Sequence, residues 1–119
     1  MTLQTIARTA VWLAPADGPA LESERDATDV IGEVFGADAQ LVAIPVERLS
    51  ADFFALSTRK AGLFIQKFTN YRIRLAIVGE IGEHVSASQA LADFVRESNR
   101  GTAVWFVRDM DELEAKLAA

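Results

Sequence analysis

The sequence predicts an α/β domain: a mixed, partly parallel sheet of four to five strands, with helices mainly on one face. Three observations predict it. Three short apolar runs, Leu41-Val42-Ala43-Ile44, Leu75-Ala76-Ile77-Val78 and Val104-Trp105-Phe106-Val107, are unbroken by polar residues, as strands covered on both faces are. Between them lie segments whose apolar residues recur at helical spacing. Strands that alternate with helices need crossover connections, which favour parallel pairs and a right-handed crossing.

Taken in order, Leu3 to Ala14 carries Ile6, Val11, Trp12 and Leu13 with little helix chemistry, which reads as one or two strands, as in a tight hairpin, ending at Pro15. Pro15-Ala16-Asp17-Gly18-Pro19 is a loop. Ser23-Glu24-Arg25-Asp26 starts a helix with acidic residues in its first turn, Ala27, Val30, Ile31 and Val34 form its apolar face, and Gly36 is the expected stop. After the Leu41–Ile44 strand, Pro45 ends the ladder. Val46 to Leu56 stays open between a short turn and a strand edge around Asp52-Phe53-Phe54. Ser57-Thr58 offers a cap to a helix with Ala61, Phe64, Ile65 and Phe68 on one face, closed by Asn70. Beyond the next strand, Gly79 opens an exit loop and Ser86 or Ser88 caps a helix bearing Leu91, Phe94, Val95 and Ser98. Asn99-Arg100-Gly101 reads as a left-handed termination before the last strand. Asp109 caps a final short helix with Met110, Leu113 and Leu117.

Composition bounds the function classes. The 119 residues fit a single domain spanning 1–119, and half of them are hydrophobic, enough for a core without covalent staples. Cysteine is absent, which removes disulfides, thiolate nucleophiles and cysteine-rich zinc sites. His84 is the one histidine, so a metal site would need an unusual carboxylate-rich shell, and no metal is expected. No cofactor is expected either. Twelve basic against 17 acidic residues give a net charge of −5, and the basic ones are scattered, so nucleic acid is not an expected partner. No run reaches the roughly 20 apolar residues of a membrane span. The first six residues lack the charge and apolar pattern of a signal peptide. The expected compartment is therefore the cytoplasm.

No catalytic constellation stands out. Gln66, Lys67, Asn70, Tyr71 and Arg72 form a dense polar group at a helix end, where amide and cationic donors could meet an anionic or carbonyl ligand. The plainer alternative is that Asn70 caps, Lys67 complements the helix C-terminus and Tyr71 packs its ring. Glu97 and Asn99 invite an acid–base role, but general catalysis needs a partner in reach, which the sequence does not identify. Ser57 and Thr58, beside Arg59 and Lys60 with Asp52 nearby, could accept a phosphate at a helix start, or simply cap it. His84 sits in a loop, and Gly79-Glu80-Ile81-Gly82 lacks the spacing of a phosphate-binding fingerprint. Trp12 and Trp105 lie in strands, and either could pack inside or line a partner surface.

The run from Asp52 through Gln66-Lys67-Phe68-Thr69-Asn70-Tyr71-Arg72 to Gly79, together with Asp93-Phe94-Val95-Arg96-Glu97-Ser98-Asn99-Arg100-Gly101, resembles a bacterial family of unassigned function, domain-of-unknown-function family 4180. The likeness covers about residues 20–118, and Gln-Lys-Phe-x-Asn-Tyr is its most specific part. It implies a relative but no activity. The layout is also similar to the STAS fold of anti-sigma-factor antagonists, where a phosphorylatable serine opens the helix after the central strand as Asp-Ser-Ser/Thr-Gly. Here that region reads Leu56-Ser57-Thr58-Arg59, with neither the Asp before Ser57 nor the Gly after Thr58.

The resulting expectation is a non-catalytic regulatory or protein-interaction domain, paired with itself as a homodimer through a sheet face or edge, or with another protein. The alternative is a small-molecule binder with an apolar pocket between sheet and helices, its mouth formed by residues such as Gln66 and Asn70.

Overall fold

The structure, a computed structural model, describes residues 2–21 and 23–119. Its first two strands, β1 (Thr2–Ile6) and β2 (Thr9–Leu13), form a hairpin in unbroken antiparallel register from Thr2 opposite Leu13 to Ile6 opposite Thr9. The turn is only Ala7 and Arg8, with φ of 47° and 68°. Positive φ at both central residues gives the turn whose twist matches the strands, although neither residue is the Gly or Asn that relieves it. Strands β3 (Leu41–Pro45), β4 (Arg74–Val78) and β5 (Val104–Val107) follow in parallel. The sheet order is β1-β2-β3-β4-β5, so the three apolar runs lie side by side. The fold is mixed α/β, with a largely parallel five-stranded sheet.

Helices α1 (Glu24–Ala37), α2 (Ala51–Phe54), α3 (Lys60–Asn70), α4 (Gly82–Ala87) and α5 (Gln89–Arg100) connect the strands, and α6 (Met110–Ala118) follows the last one. Strand alternation sorts the core into two layers. Trp12, Val42, Ile44, Leu75, Ile77, Val104 and Phe106 pack with Val30, Val34, Phe53, Phe64, Phe68 and Leu91 of α1, α2, α3 and α5. On the opposite face Ile6, Val11, Leu41, Ala43, Ala76, Trp105 and Val107 meet α6, whose Leu113 is fully buried. Among the described residues no helix is long and apolar enough to cross a membrane.

Several local expectations change. Gly36 does not stop α1, which runs on to Ala37 and ends where Asp38 adopts φ 58°, a conformation that short polar side chains tolerate better than most. Ser57-Thr58 does not open α3. Leu56–Thr58 form a 3-10 turn and Arg59, at φ 64°, takes the cap position, while the Thr58 hydroxyl still accepts from the Lys60 amide at 3.3 Å. The 46–56 segment is a 3-10 turn (Val46–Arg48) followed by α2, not a strand edge, because Phe53 and Phe54 are both drawn into the core. His84 lies in α4 rather than in a loop, its ring stacked on Phe54 at 4.6 Å. Gly101 ends α5 at φ −90°, so no left-handed residue terminates that helix. Ser23, Ser88 and Asp109 cap α1, α5 and α6 as their positions suggest.

Candidate functional site

The Gln66–Arg72 group falls on the outer surface formed by α1 and α3, and divides in two. Gln66, Lys67 and Asn70 line a shallow groove of about 180 Å³ with Glu24 and Leu63, where the Lys67 ammonium lies 3.7 Å from the Glu24 carboxylate. Tyr71 and Arg72 instead belong to a depression of about 390 Å³ with Val34, Phe35, Asp38, Gln40 and Arg74, at the amino ends of β3 and β4. The end of α3 explains this split. The Arg72 and Ile73 amides donate back to the carbonyls of Thr69 and Phe68, both at 3.0 Å, with Arg72 left-handed at φ 58°. That double closure turns the chain sharply into β4 and leaves Tyr71 on the surface.

There Tyr71 meets Phe35 edge to face, with centroids 5.5 Å apart and planes at 72°. Phe35 is 58% exposed and Tyr71 48%, and Leu63 on the same helix pair is 42% exposed. Gly32 and Gly36, one turn apart on α1, have no other group within 4 Å of where a Cβ would stand. The result is an apolar, partly aromatic patch with amides and cations around it.

The remaining candidates lie elsewhere. Glu97 is exposed on α5. Asn99 is engaged by the sheet: its Nδ2 donates to the Phe106 carbonyl at 3.2 Å and its Oδ1 accepts from the Phe106 amide at 2.7 Å. Ser57 is exposed, whereas the Thr58 hydroxyl lies 2.8 Å from the carbonyls of Asp52 and Ala55. Lys60 lies 3.4 Å from the Asp52 carboxylate. Trp12 is buried on the face under α1 and α3. Trp105 is buried on the other face, donating from Nε1 to the Gly101 carbonyl at 2.8 Å, with Arg74 and Lys116 at 4.5 and 5.0 Å from its ring.

Two features escaped sequence reasoning. One is Arg48, only 8% exposed, which donates from Nε to the Pro19 carbonyl at 2.8 Å and from Nη1 to the Pro15 carbonyl at 3.0 Å, fixing the 15–19 loop. Nothing in its sequence neighbourhood distinguishes it from a surface arginine. The other is a groove of about 460 Å³ across the carboxyl ends of the parallel strands. Leu13, Ala43, Pro45, Val78 and Met110 supply its apolar lining, and Glu47, Arg108 and Asp109 its charged rim. The predicted strand ends could have located it, since open parallel sheets hold ligands at that edge. Among the described residues no group of three or more histidines and carboxylates is placed to hold a metal ion.

Neither a curated protein nor a solved structure matches the chain. A family model does, over residues 6–117, and its description is a domain of unknown function, DUF4180. With nearly its whole length matched, this chain belongs to the DUF4180 family.

Proposed function

We propose that this protein is a non-catalytic interaction domain with a regulatory role, which docks another protein on the α1–α3 surface centred on Phe35 and Tyr71. The observation that carries this reading is the exposed edge-to-face pair itself. Two half-exposed aromatic rings lose favourable burial energy, about 25 cal/mol per Å² of apolar surface left in water, and aromatic side chains dominate the centres of protein interfaces. Gln66, Lys67, Asn70 and Arg72 supply the polar rim such a centre needs. The layout of a hairpin followed by crossover helices, which STAS regulators also have, adds support for a regulatory role.

A second reading is favoured by the groove at the strand ends, whose apolar lining and sparse charges suit a small amphiphilic molecule. One experiment weighs both. The chain and its F35A/Y71A variant are used as baits in a quantitative pull-down from the native cell, and both are screened against a metabolite library by thermal shift. The interaction reading expects a protein recovered by the unaltered chain and reduced at least tenfold with the variant. Equal recovery by both overturns it. A metabolite that raises the melting temperature of both proteins alike establishes the second reading in its place.

A further inference from the structure

A sheet of five strands has two edges, and this one treats them differently. An edge strand presents unpaired amides and carbonyls that invite another strand, and proteins usually blunt such edges with charges, prolines, bulges or covering groups. On β5 the blunting is explicit. Phe106 directs both backbone groups away from β4, and the Asn99 side-chain amide takes both, standing in for the peptide of a missing strand. Two residues on, the Arg108 amide donates to Glu112 Oε1 at 2.9 Å. This edge is capped at Phe106 and Arg108.

On β1 none of these devices is present. Thr2-Leu3-Gln4-Thr5-Ile6 has no charge and no proline, and its register with β2 runs without a bulge. In a hairpin with a two-residue turn, the residues flanking the turn are hydrogen-bonded to each other. Ile6 therefore bonds inward to Thr9, Gln4 to Val11 and Thr2 to Leu13, which leaves Leu3 and Thr5 directing their amides and carbonyls outward. β1 ends the strand order, and no strand or side chain among the described residues pairs with that edge. Leu3 is 50% exposed beside it.

We infer that a second copy of this chain pairs along β1, antiparallel about a two-fold axis at Gln4, to make one continuous ten-stranded sheet. In that register Leu3 stands opposite the partner's Thr5, and Thr5 opposite the partner's Leu3. The outward groups of these residues form four main-chain hydrogen bonds, and Gln4 meets its own copy at the axis. The two Leu3 side chains become diagonal neighbours on the helix-covered face, within reach of each other. A second copy fits for two reasons. An uncharged strand can meet itself without like-charge repulsion, even though each chain carries a net charge of −5. And with β5 closed by Asn99, head-to-tail pairing of β1 on β5 is blocked, so the contact consumes both free edges and assembly stops at two. A single five-residue strand pair is smaller than the roughly 800 Å² per partner of a standard interface, so the pairing is a reversible one.

Sedimentation velocity on the full chain, from micromolar to millimolar concentration, tests this. The expected result is a reversible monomer–dimer equilibrium. T5P removes an outward amide that β2 does not use, and L3K places a charge on the edge, so each weakens the dimer at least tenfold. Both variants are first shown to retain the parent circular dichroism spectrum. F35A/Y71A leaves the equilibrium unchanged, which separates this contact from the α1–α3 surface. N99A opens the second edge, and species larger than a dimer appear. A chain monomeric at millimolar concentration overturns the inference. So does a dimer indifferent to both T5P and L3K, or one dissolved by F35A/Y71A.

Discussion

Gly79 follows the last residue of β4 at φ 147°, a region that side chains rarely enter. A Cβ there would stand 2.0 Å from Val46 Cγ2, and valine is too short and too branched to swing aside. Backbone strain and overlap add, so G79A is expected to lower unfolding stability by at least about 2 kcal/mol, read as a fall in the urea midpoint. V46A in the G79A background removes the overlap and not the strain, and should restore only part of the loss. Equal stability of G79A and the parent would show that the exit from β4 relaxes freely. Arg48 depends on the same kind of close fit. A Cβ on Gly18 would approach its Cζ at 2.9 Å, so the loop lies directly on the guanidinium that holds it.

At the scale of elements, α1 contains a conflict between local propensity and exposure. Gly32 and Gly36 face open space on a helix that Ser23 caps well, with its hydroxyl accepting from Asp26 and the Asp26 carboxylate accepting from the Ser23 amide. Glycine in an exposed helix interior costs about 0.5–1 kcal/mol relative to alanine. G32A and G36A should therefore each stabilise the isolated protein by about that amount in thermal or urea unfolding. Loss of stability in the free protein would mean that these glycines serve the fold.

Over the whole molecule the two faces of the sheet are covered unequally. Five helices pack on one side, while α6 lies on the other with Leu113 as its fully buried anchor in the cluster of Val11, Leu41, Ala43 and Trp105. L113A removes most of that anchor and is expected to cost about 2–5 kcal/mol, measured by denaturant unfolding. Because α6 is the last element and is held mainly by this contact, its amides should lose hydrogen-exchange protection in L113A before those of β3 and β4 do. Simultaneous loss of protection across the chain would show that α6 opens only with the rest.

The local code was written plainly in some places. Leu41–Ile44, Leu75–Val78 and Val104–Val107 have no polar break and are too short for buried helices, and they alternate with helical segments, so their parallel arrangement was legible in the sequence. Ser23 and Asp109 announced helix starts, because a hydroxyl or carboxylate satisfies exposed amides using contacts only three residues away, and of Ser86 and Ser88 the structure selects Ser88, since Ser86 lies inside α4. Other features are sums over distant chain segments. The hold of Arg48 on carbonyls some 30 residues away, and the meeting of Tyr71 and Arg72 with Phe35 and Gln40 in one depression, arise only when the crossovers are packed. Periodicity reports which face of an element avoids water. Only the folded chain decides what stands opposite that face, and so which edges and grooves remain open for a partner.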